Sequence, residues 1–161
     1  MKKIKLTKNK ETLVDDEDFE RLSKYKWHAH KERYTFYARR RSKHGRFFMH
    51  REIMKCPENL EIDHIDGDGL NNQKKNLRIC TQSQNFANRN KLRNNTSGYK
   101  GVSWYKPGKK WRTQIKVNCH VKHLGYFSTP EDAAQAYNIA AERYHGEFAK
   151  LNKIPQKKEG S

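Results

Sequence analysis

Acidic side chains are missing from a long stretch of this sequence: between Gly69 and Pro130 there is no Asp or Glu, although thirteen Lys and Arg fall there. Cations at that density repel one another unless a polyanion meets them, so a polyanionic partner is expected. Long apolar runs are missing as well. No segment approaches the roughly 18–20 apolar residues of a membrane span, and the opening MKKIKLTKNK has no signal-peptide core. An intracellular, soluble protein without a membrane partner is therefore expected. Cysteine is scarce: Cys56, Cys80 and Cys119 include no C-x-x-C pair, which excludes a zinc knuckle or a dithiol motif and leaves them to be read as small buried hydrophobes. Hydrophobic residues reach only 34% of 161 residues. A typical share is about 45–50% with glycine included, so two thinly cored modules are expected.

What is abundant is positive charge. Lys and Arg number 35 against 18 Asp and Glu, a net +17, and 11% of residues are aromatic. This is the electrostatic footprint of a nucleic-acid binder, although a ribosome-associated protein would share it. One segment inverts the pattern. From Cys56 to Asn72 the chain carries Glu58, Glu61, Asp63, Asp66 and Asp68 and no Lys or Arg. Two charge regimes meet near residue 70.

The first part reads as short strands. KKIKLT is followed by an apolar run and a helix-like acidic turn within ETLVDDEDFERLSKYKWHAHK, and YTFYARR and GRFFMHREI show strand alternation. N-terminal strands over 1–45 would form a small, mostly antiparallel sheet ahead of a core at 46–90. Around NKLRNNTSGYKG the sequence turns polar, which places a linker at 91–97.

Past the linker, GYKGVSWY, KKWRTQIKV and HVKHLGYF read as three strands joined by turns at KPGK and VNC. Period-two alternation puts Trp111, Thr113, Ile115 and Val117 on one face of the second strand and Arg112, Gln114 and Lys116 on the other. A helix follows, with Thr129 as N-cap, Pro130 at the first position and Asp132 where a capping acid sits. Ala133, Ala136, Tyr137, Ala140, Ala141 and Tyr144 recur at helical spacing, and Gly146 marks the end. Residues 98–153 thus make an antiparallel sheet of three strands with one helix, and 154–161 a disordered tail. The fold class is α+β.

The acidic segment EIDHIDGDGLNNQKKNLRICTQSQN carries the candidate chemistry. Asp63 and His64 end a strand, LEIDH, and Thr81 is a plausible N-cap for a helix carrying Gln82, Gln84, Asn85 and Asn88. Asp63 and Asn85 would supply two hard oxygen ligands, with water and substrate completing the sphere, as Mg²⁺ prefers. A neighbouring imidazole could accept a proton from attacking water at neutral pH. A calcium-binding EF-hand loop does not fit, because Ile65 and Gly67, or Leu77 in the other register, fall where ligands are required. A solvated Asp-Gly turn fits residue types alone equally well.

The spacing itself resembles the HNH nuclease family, in particular its phage-type, intron-associated homing endonucleases, over residues 46 to 90. The resemblance implies a ββα-metal module in which Asp63 and Asn85 hold the metal, His64 is the general base and Asn76 braces the loop. Asn85 stands where the namesake has histidine, and its oxygen favours Mg²⁺, or Mn²⁺, over Zn²⁺, so no structural zinc is expected. MHRE resembles the His-Arg that precedes the motif in this subfamily. That leaves His50 and Arg51 either at metal or phosphate, or in a structural role.

Residues 96 to 153 resemble the AP2 DNA-binding domain, through YKGV, the tryptophans, LGYF, EDAA, AY, AA and LN. That resemblance implies a sheet lying in the major groove of double-stranded DNA. Its DNA-facing positions are Lys100, Ser103, Tyr105, Lys110, Arg112, Gln114, Lys116 and His123. Lys100, Ser103 and Tyr105 replace arginines of plant members, so a guanine-rich preference does not transfer. Trp104 and Trp111 are assigned to the core rather than to bases. Together the two resemblances imply a metal-dependent, sequence-directed DNA endonuclease of homing or mobile-element type in the cytoplasm of a bacterium or a phage-infected host. Whether it acts as a monomer that nicks or a dimer that cuts both strands is left open, and a DNA-binding protein with a degenerate HNH platform is the alternative.

Overall fold

The computed structural model describes residues 1–32 and 35–155, so Tyr34 of the YTFYARR strand and most of the expected tail lie outside the described residues. The chain divides into two compact units, Met1–Asn85 and Phe86–Ser161. The division falls a few residues before the boundary read from the sequence.

The first unit opens with a hairpin of β1 (Lys2–Lys5) and β2 (Glu11–Val14), then α1 (Asp16–Ser23). A three-stranded antiparallel sheet follows, in the order β3 (His28–Glu32), β4 (Thr35–Ser42) and β5 (Gly45–Phe48). The alternating run GRFFMHREI does not stay extended. It becomes α2 (Met49–Met54), which turns Met49 and Ile53 into the core and ends at Lys55 in the left-handed region. Tertiary burial of those two side chains, four positions apart on one helical face, overrides the strand-like alternation. Ile4, Val14, Leu22, Trp27, Ala38, Met49, Ile53, Ile62 and Leu77 form one apolar cluster. The Trp27 indole N–H donates to the Leu22 carbonyl at 2.9 Å, so its one polar atom enters the core satisfied.

Cations are accommodated at this core's edge by pairing. The Arg40 guanidinium lies 4.2 Å from the Tyr25 ring centroid and 4.6 Å from that of Phe47, and donates to Glu52 at 2.7 Å. A desolvated cation–π contact contributes about 2 kcal/mol, enough to offset part of the charge's burial.

A second hairpin closes the unit: β6 (Glu61–His64) pairs antiparallel with β7 (Leu77–Cys80), Asp63 opposite Arg78. Then comes α3 (Gln82–Asn88). Thr81 is its N-cap in a reciprocal capping box: Thr81 Oγ1 accepts from the Gln84 amide at 3.3 Å, and Gln84 Oε1 accepts from the Thr81 amide at 2.8 Å.

The second unit is a three-stranded antiparallel sheet, β8 (Val102–Tyr105), β9 (Lys110–Val117) and β10 (His120–Phe127), with β9 central. Helix α4 (Pro130–His145) packs on one face. Thr129 caps it by accepting from the Asp132 amide at 3.1 Å. Small residues let the layers approach. Ala133, Ala134 and Ala141 are fully buried, and Thr113 Oγ1 donates across the layers to the Ala133 carbonyl at 3.0 Å. At Gly101, φ is +79° and a Cβ would stand 2.1 Å from the Tyr137 ring, so both conformation and space demand glycine. Residues 95–97 are held against this unit by Asn95 and Ser97, which bond the Tyr99 and Val102 carbonyls.

Two burial expectations need correction. Cys119 is exposed, because Asn118 and Cys119 form the two-residue tip of the β9–β10 hairpin with φ of 47° and 66°. A primed turn of that kind points its side chains to solvent. Trp104 is 44% exposed: it meets Trp111 edge-on at 5.0 Å, but only Trp111 reaches the cluster of Val102, Ala133 and Ala134. Trp104 sits on edge strand β8. Of the other two cysteines, Cys80 is buried and Cys56 is partly so.

Candidate active site and nucleic-acid interface

The acidic segment is a loop between β6 and β7, and almost every polar group in it is assigned. Asn76 donates through Nδ2 to Asp66 Oδ1 at 3.0 Å and to the Asn71 carbonyl at 2.9 Å, while its Oδ1 accepts from the Asp66 amide at 3.1 Å. Its own carbonyl accepts from Ile65 at 2.9 Å. Asp66 accepts in addition from the Asp68 amide at 2.8 Å and from Asn71 Nδ2 at 2.8 Å. Asp68 accepts from the Leu70 amide at 3.0 Å. Both aspartates are thus turn formers. Burial pushes the Asp66 carboxyl up, but the bonds from Asn71, Asp68 and Asn76 outweigh it and hold its pKa below the usual value.

This loop is fastened to the N-terminal hairpin. Leu13 donates to the Leu70 carbonyl at 2.9 Å, and Asn72 donates to the Leu13 carbonyl at 2.8 Å. Asp15 reaches over to accept from the Lys74 amide at 2.7 Å. At Gly69 a Cβ would lie 2.5 Å from the Phe36 carbonyl and 2.6 Å from the Tyr37 ring, so only glycine lets the loop settle on β4.

Asp63 and His64 are both buried, at 4% and 5% exposure, yet they face different neighbours because successive strand residues alternate. His64 shares its side with Tyr37, whose ring centroid is 5.7 Å away, and with His50 at 5.2 Å. Its Nε2 lies 3.4 Å from Asn72 Oδ1. Burial lowers the His64 pKa, opposed by the Asn72 bond and by the charges of Asp66, Asp63 and Asp68. The ring is accordingly neutral at pH 7, the state a proton acceptor needs. His50 stacks on Phe48 at 5.5 Å, and burial, with His64 and Arg51 nearby, lowers its pKa to about 3. Its Nδ1 is buried with no hydrogen-bond partner among the described residues. Arg51 is committed to the chain itself, donating to the carbonyls of Leu60, Pro57 and Cys56 at 2.9, 2.7 and 3.2 Å.

On the opposite side, Asp63 Oδ2 accepts from Arg78 Nε at 2.8 Å and from Nη2 at 2.7 Å. Asn85, on α3, donates from Nδ2 to Glu61 Oε2 at 2.6 Å, which turns its carbonyl oxygen to the other edge of the amide. The donors here are oxygens. Cys80, the nearby thiol, is pushed up to about 11 by burial and by the Asp63 and Glu61 carboxylates, so it is no thiolate at neutral pH. No group of three or more His, Cys, Asp or Glu positioned to hold a metal occurs among the described residues. Residues of this kind fit a hard divalent cation bound by few protein oxygens and completed by water and phosphate, and do not fit a closed zinc site.

In the second unit the register decides which side chains share a face. Thr113 points to the helix, so Lys110, Arg112, Gln114 and Lys116 point away from it. Arg112 pairs with Ser103 and Tyr126, Lys110 with Tyr105, and Gln114 with His123. Seven of the eight residues expected to face DNA therefore line one sheet surface. Tyr126, which sequence reading passed over, joins them, its ring tilted against those of Tyr105 at 4.9 Å and His123 at 4.6 Å. Lys100 stands apart. Its ammonium donates to the Ala87 carbonyl, and burial, with Lys150 and Arg89 nearby, lowers its pKa to about 8. Asn152 grips the same residue's backbone, accepting from the Lys100 amide at 2.6 Å and donating to its carbonyl at 3.0 Å.

A strand ending in Asp-His, a braced loop, a return strand and a helix bearing an asparagine follow one another in the order of a ββα nuclease module. The HNH endonuclease family model matches residues 55–87. An uncharacterized HNH endonuclease of Acanthamoeba polyphaga mimivirus is 34% identical over 139 residues, covering 83% of this chain and 70% of the viral protein. Protein 3.8 of Escherichia phage T7 is 35% identical over 95 residues, 59% of this chain and 78% of the phage protein. The chain belongs to the HNH endonuclease family. An ethylene-responsive transcription factor of Medicago truncatula is 33% identical over 87 residues, 53% of this chain and 32% of the plant protein. No solved structure matches the chain at a significant level. No helix among the described residues is long and apolar enough to cross a membrane.

Proposed function

We propose that the chain is a divalent-metal-dependent DNA endonuclease of homing or mobile-element type. In this reading His64 is the general base, Asp63 and Asn85 hold the cation and Asn76 keeps the loop in shape. What supports it most is the pairing of a buried neutral imidazole with an adjacent buried carboxylate on one strand, behind a loop braced by Asn76. A cation bound there supplies neutralisation of the charge that develops on the phosphate and on the leaving 3′ oxygen, with Mg²⁺ or Mn²⁺ suited to oxygen donors. His64 takes the proton of the attacking water. Glu61 occupies the Asn85 NH₂ group, which leaves Oδ1 as the ligand atom of that amide, and Arg78 fixes one oxygen of Asp63.

The sheet of the second unit, an AP2-like reader in this proposal, would lie on double-stranded DNA. Lys110 and Lys116 would meet phosphates, and Arg112 and Gln114 would read base edges. The likeness to a transcription factor of Medicago truncatula supports DNA as the partner. Tethering a reader to a catalytic unit raises the local concentration of cleavable DNA, so few phosphate contacts by the catalytic unit itself suffice.

A second reading, a non-cleaving DNA-binding protein on an HNH platform, is favoured by one observation: Arg78 already occupies Asp63 Oδ2. Supercoiled plasmid incubated with Mg²⁺, Mn²⁺ or EDTA, using the wild type and His64→Ala, separates the two. Metal-dependent nicking or linearisation that disappears in His64→Ala is expected. Cleavage in EDTA, or undiminished cleavage by His64→Ala, would remove the mechanism.

A further inference from the structure

A chain of hydrogen bonds behind His64 has a direction that can be worked out atom by atom. Thr12, fully buried on β2, places its Oγ1 2.7 Å from the Leu70 carbonyl and 2.7 Å from Asn72 Nδ2. The Leu70 carbonyl can only accept, and a hydroxyl has one proton, so Thr12 donates to Leu70. Met49 Sδ, 4.0 Å away, is a third and weaker acceptor that cannot take the proton from the 2.7 Å contact. Thr12 Oγ1 must then accept from Asn72, which makes the Asn72 atom facing it the NH₂ group. Turning the Asn72 amide over would set two acceptors against one hydroxyl proton. The Asn72 carbonyl oxygen is therefore the atom facing His64 Nε2 at 3.4 Å, and only a protonated Nε2 can bond it.

From this polarity we infer that Thr12 and Asn72 are positioning residues that fix His64 as its Nε2–H tautomer, so that Nδ1 is the nitrogen that accepts the proton of the attacking water. The inference rests on the reading of His64 as general base. In the step it describes, a water O–H bond breaks and its proton joins the Nδ1 lone pair. The water oxygen bonds to phosphorus as the bond from phosphorus to the 3′ oxygen breaks, and that oxygen takes a proton from solvent. The imidazolium formed keeps its Nε2–H on Asn72 Oδ1, a bond that strengthens once the donor is charged. Neither helper touches substrate. Asn72 is 1% exposed and acts only through the ring, and Thr12 acts only through Asn72.

The relay also gives the N-terminal hairpin a part in the chemistry. The Leu13 amide and carbonyl bond Leu70 and Asn72 on either side of the segment, so β2 delivers Thr12 in register with Asn72. A separate scaffold sixty residues away in sequence thereby sets the proton inventory of the ring.

The test reads the ring directly. In ¹⁵N-histidine-labelled protein at pH 8, without DNA or added metal, two-bond ¹⁵N–¹H correlations tell which nitrogen of His64 carries hydrogen. Nε2–H is expected in the wild type, whereas Nδ1–H would overturn the inference. In Asn72→Ala and Thr12→Val a mixture of tautomers is expected, with the single form regained in Thr12→Ser, and the Trp27 indole signal reports that the unit remains folded. One unchanged tautomer throughout the folded variants would also overturn it. Plasmid cleavage by Thr12→Val should fall about 10- to 100-fold, the scale of a positioned proton acceptor, with Mn²⁺ affinity by calorimetry unchanged. A wild-type chain that shows Nε2–H but cuts nothing would cost the nuclease reading and leave the relay standing. A chain that cuts with Nδ1–H would do the reverse.

Discussion

Arg78 places both Nε and Nη2 on a single oxygen of Asp63, Oδ2, at 2.8 and 2.7 Å. The two side chains are 14% and 5% exposed, so this ion pair is largely withdrawn from water. Removing one partner of such a pair leaves the other charge stranded, at a cost of about 3–5 kcal/mol.

Arg78→Gln should therefore lower the melting temperature in the absence of divalent cations. If Asp63 is a metal ligand, Mn²⁺ then has a less compensated carboxylate to neutralise, and the melting temperature should rise more on adding Mn²⁺ than in the wild type. Equal metal-induced shifts in thermal melts of the two proteins would show that Asp63 takes no part in binding the cation.

Asn76→Ala removes three side-chain hydrogen bonds from the acidic loop. At about 0.5–1.5 kcal/mol each, a loss of about 1.5–4.5 kcal/mol is expected in urea unfolding. Asn76→Asp should be worse, because it keeps the bulk but sets a carboxylate against Asp66. A tolerant response to both substitutions would mean that the loop holds its shape by other contacts.

Acid should destabilise the first unit before its carboxylates are titrated. An unfolded His50 binds a proton near pH 6.5, whereas in the folded chain burial defers protonation to about pH 3. The unfolded state thus holds more protons between those values, so the contribution is complete above pH 6.5 and is lost as pH falls, by up to about 1.4 kcal/mol per pH unit. His64 acts in the same direction. His50→Phe, which can keep the stack on Phe48, should show a shallower fall in unfolding free energy between pH 7 and pH 5. An equal slope would mean that His50 is protonated in the folded state.

On the sheet of the second unit, substitutions should divide by function. Lys116→Ala is expected to weaken binding to all DNA and to reduce the salt slope by about one, while Gln114→Ala alters preference among sequences. Lys100→Ala should act differently, lowering thermal stability more than affinity, because its ammonium serves the Ala87 carbonyl. Fluorescence titrations at several salt concentrations, beside melting curves, distinguish these outcomes. Uniform weakening by Gln114→Ala would remove the base-reading assignment.

The features that were legible in the sequence are those encoded locally. Thr81 with Gln84, and Thr129 with Pro130 and Asp132, place helix starts within a few residues of the side chains that cap them. Alternation in KWRTQIKV separated Thr113 and Ile115 from Arg112 and Gln114 without any knowledge of the neighbouring strands. What escaped depends on partners far along the chain. Asn72 closes the acidic segment, whose residue types fit a solvated turn, and nothing near it in sequence announces a buried contact with Thr12. Tyr126 required the β9–β10 register, which slips at a bulge between His123 and Gly125 and so reverses the simple count of alternate residues. The short helix Met49–Met54 begins without a side-chain cap, leaving no local signal to oppose its strand-like alternation.

The pleat of β6 has an evolutionary corollary. Because His64 and Asp63 face opposite ways, the residues that hold the imidazole, Thr12 and Asn72, are a different set from those beside the carboxylate, Arg78 and Cys80. Substitutions can accumulate in one set without disturbing the other. Descendants under relaxed selection would then lose the two capacities separately, and a lineage whose imidazole has drifted out of place would still inherit an intact carboxylate pocket, available for a new use.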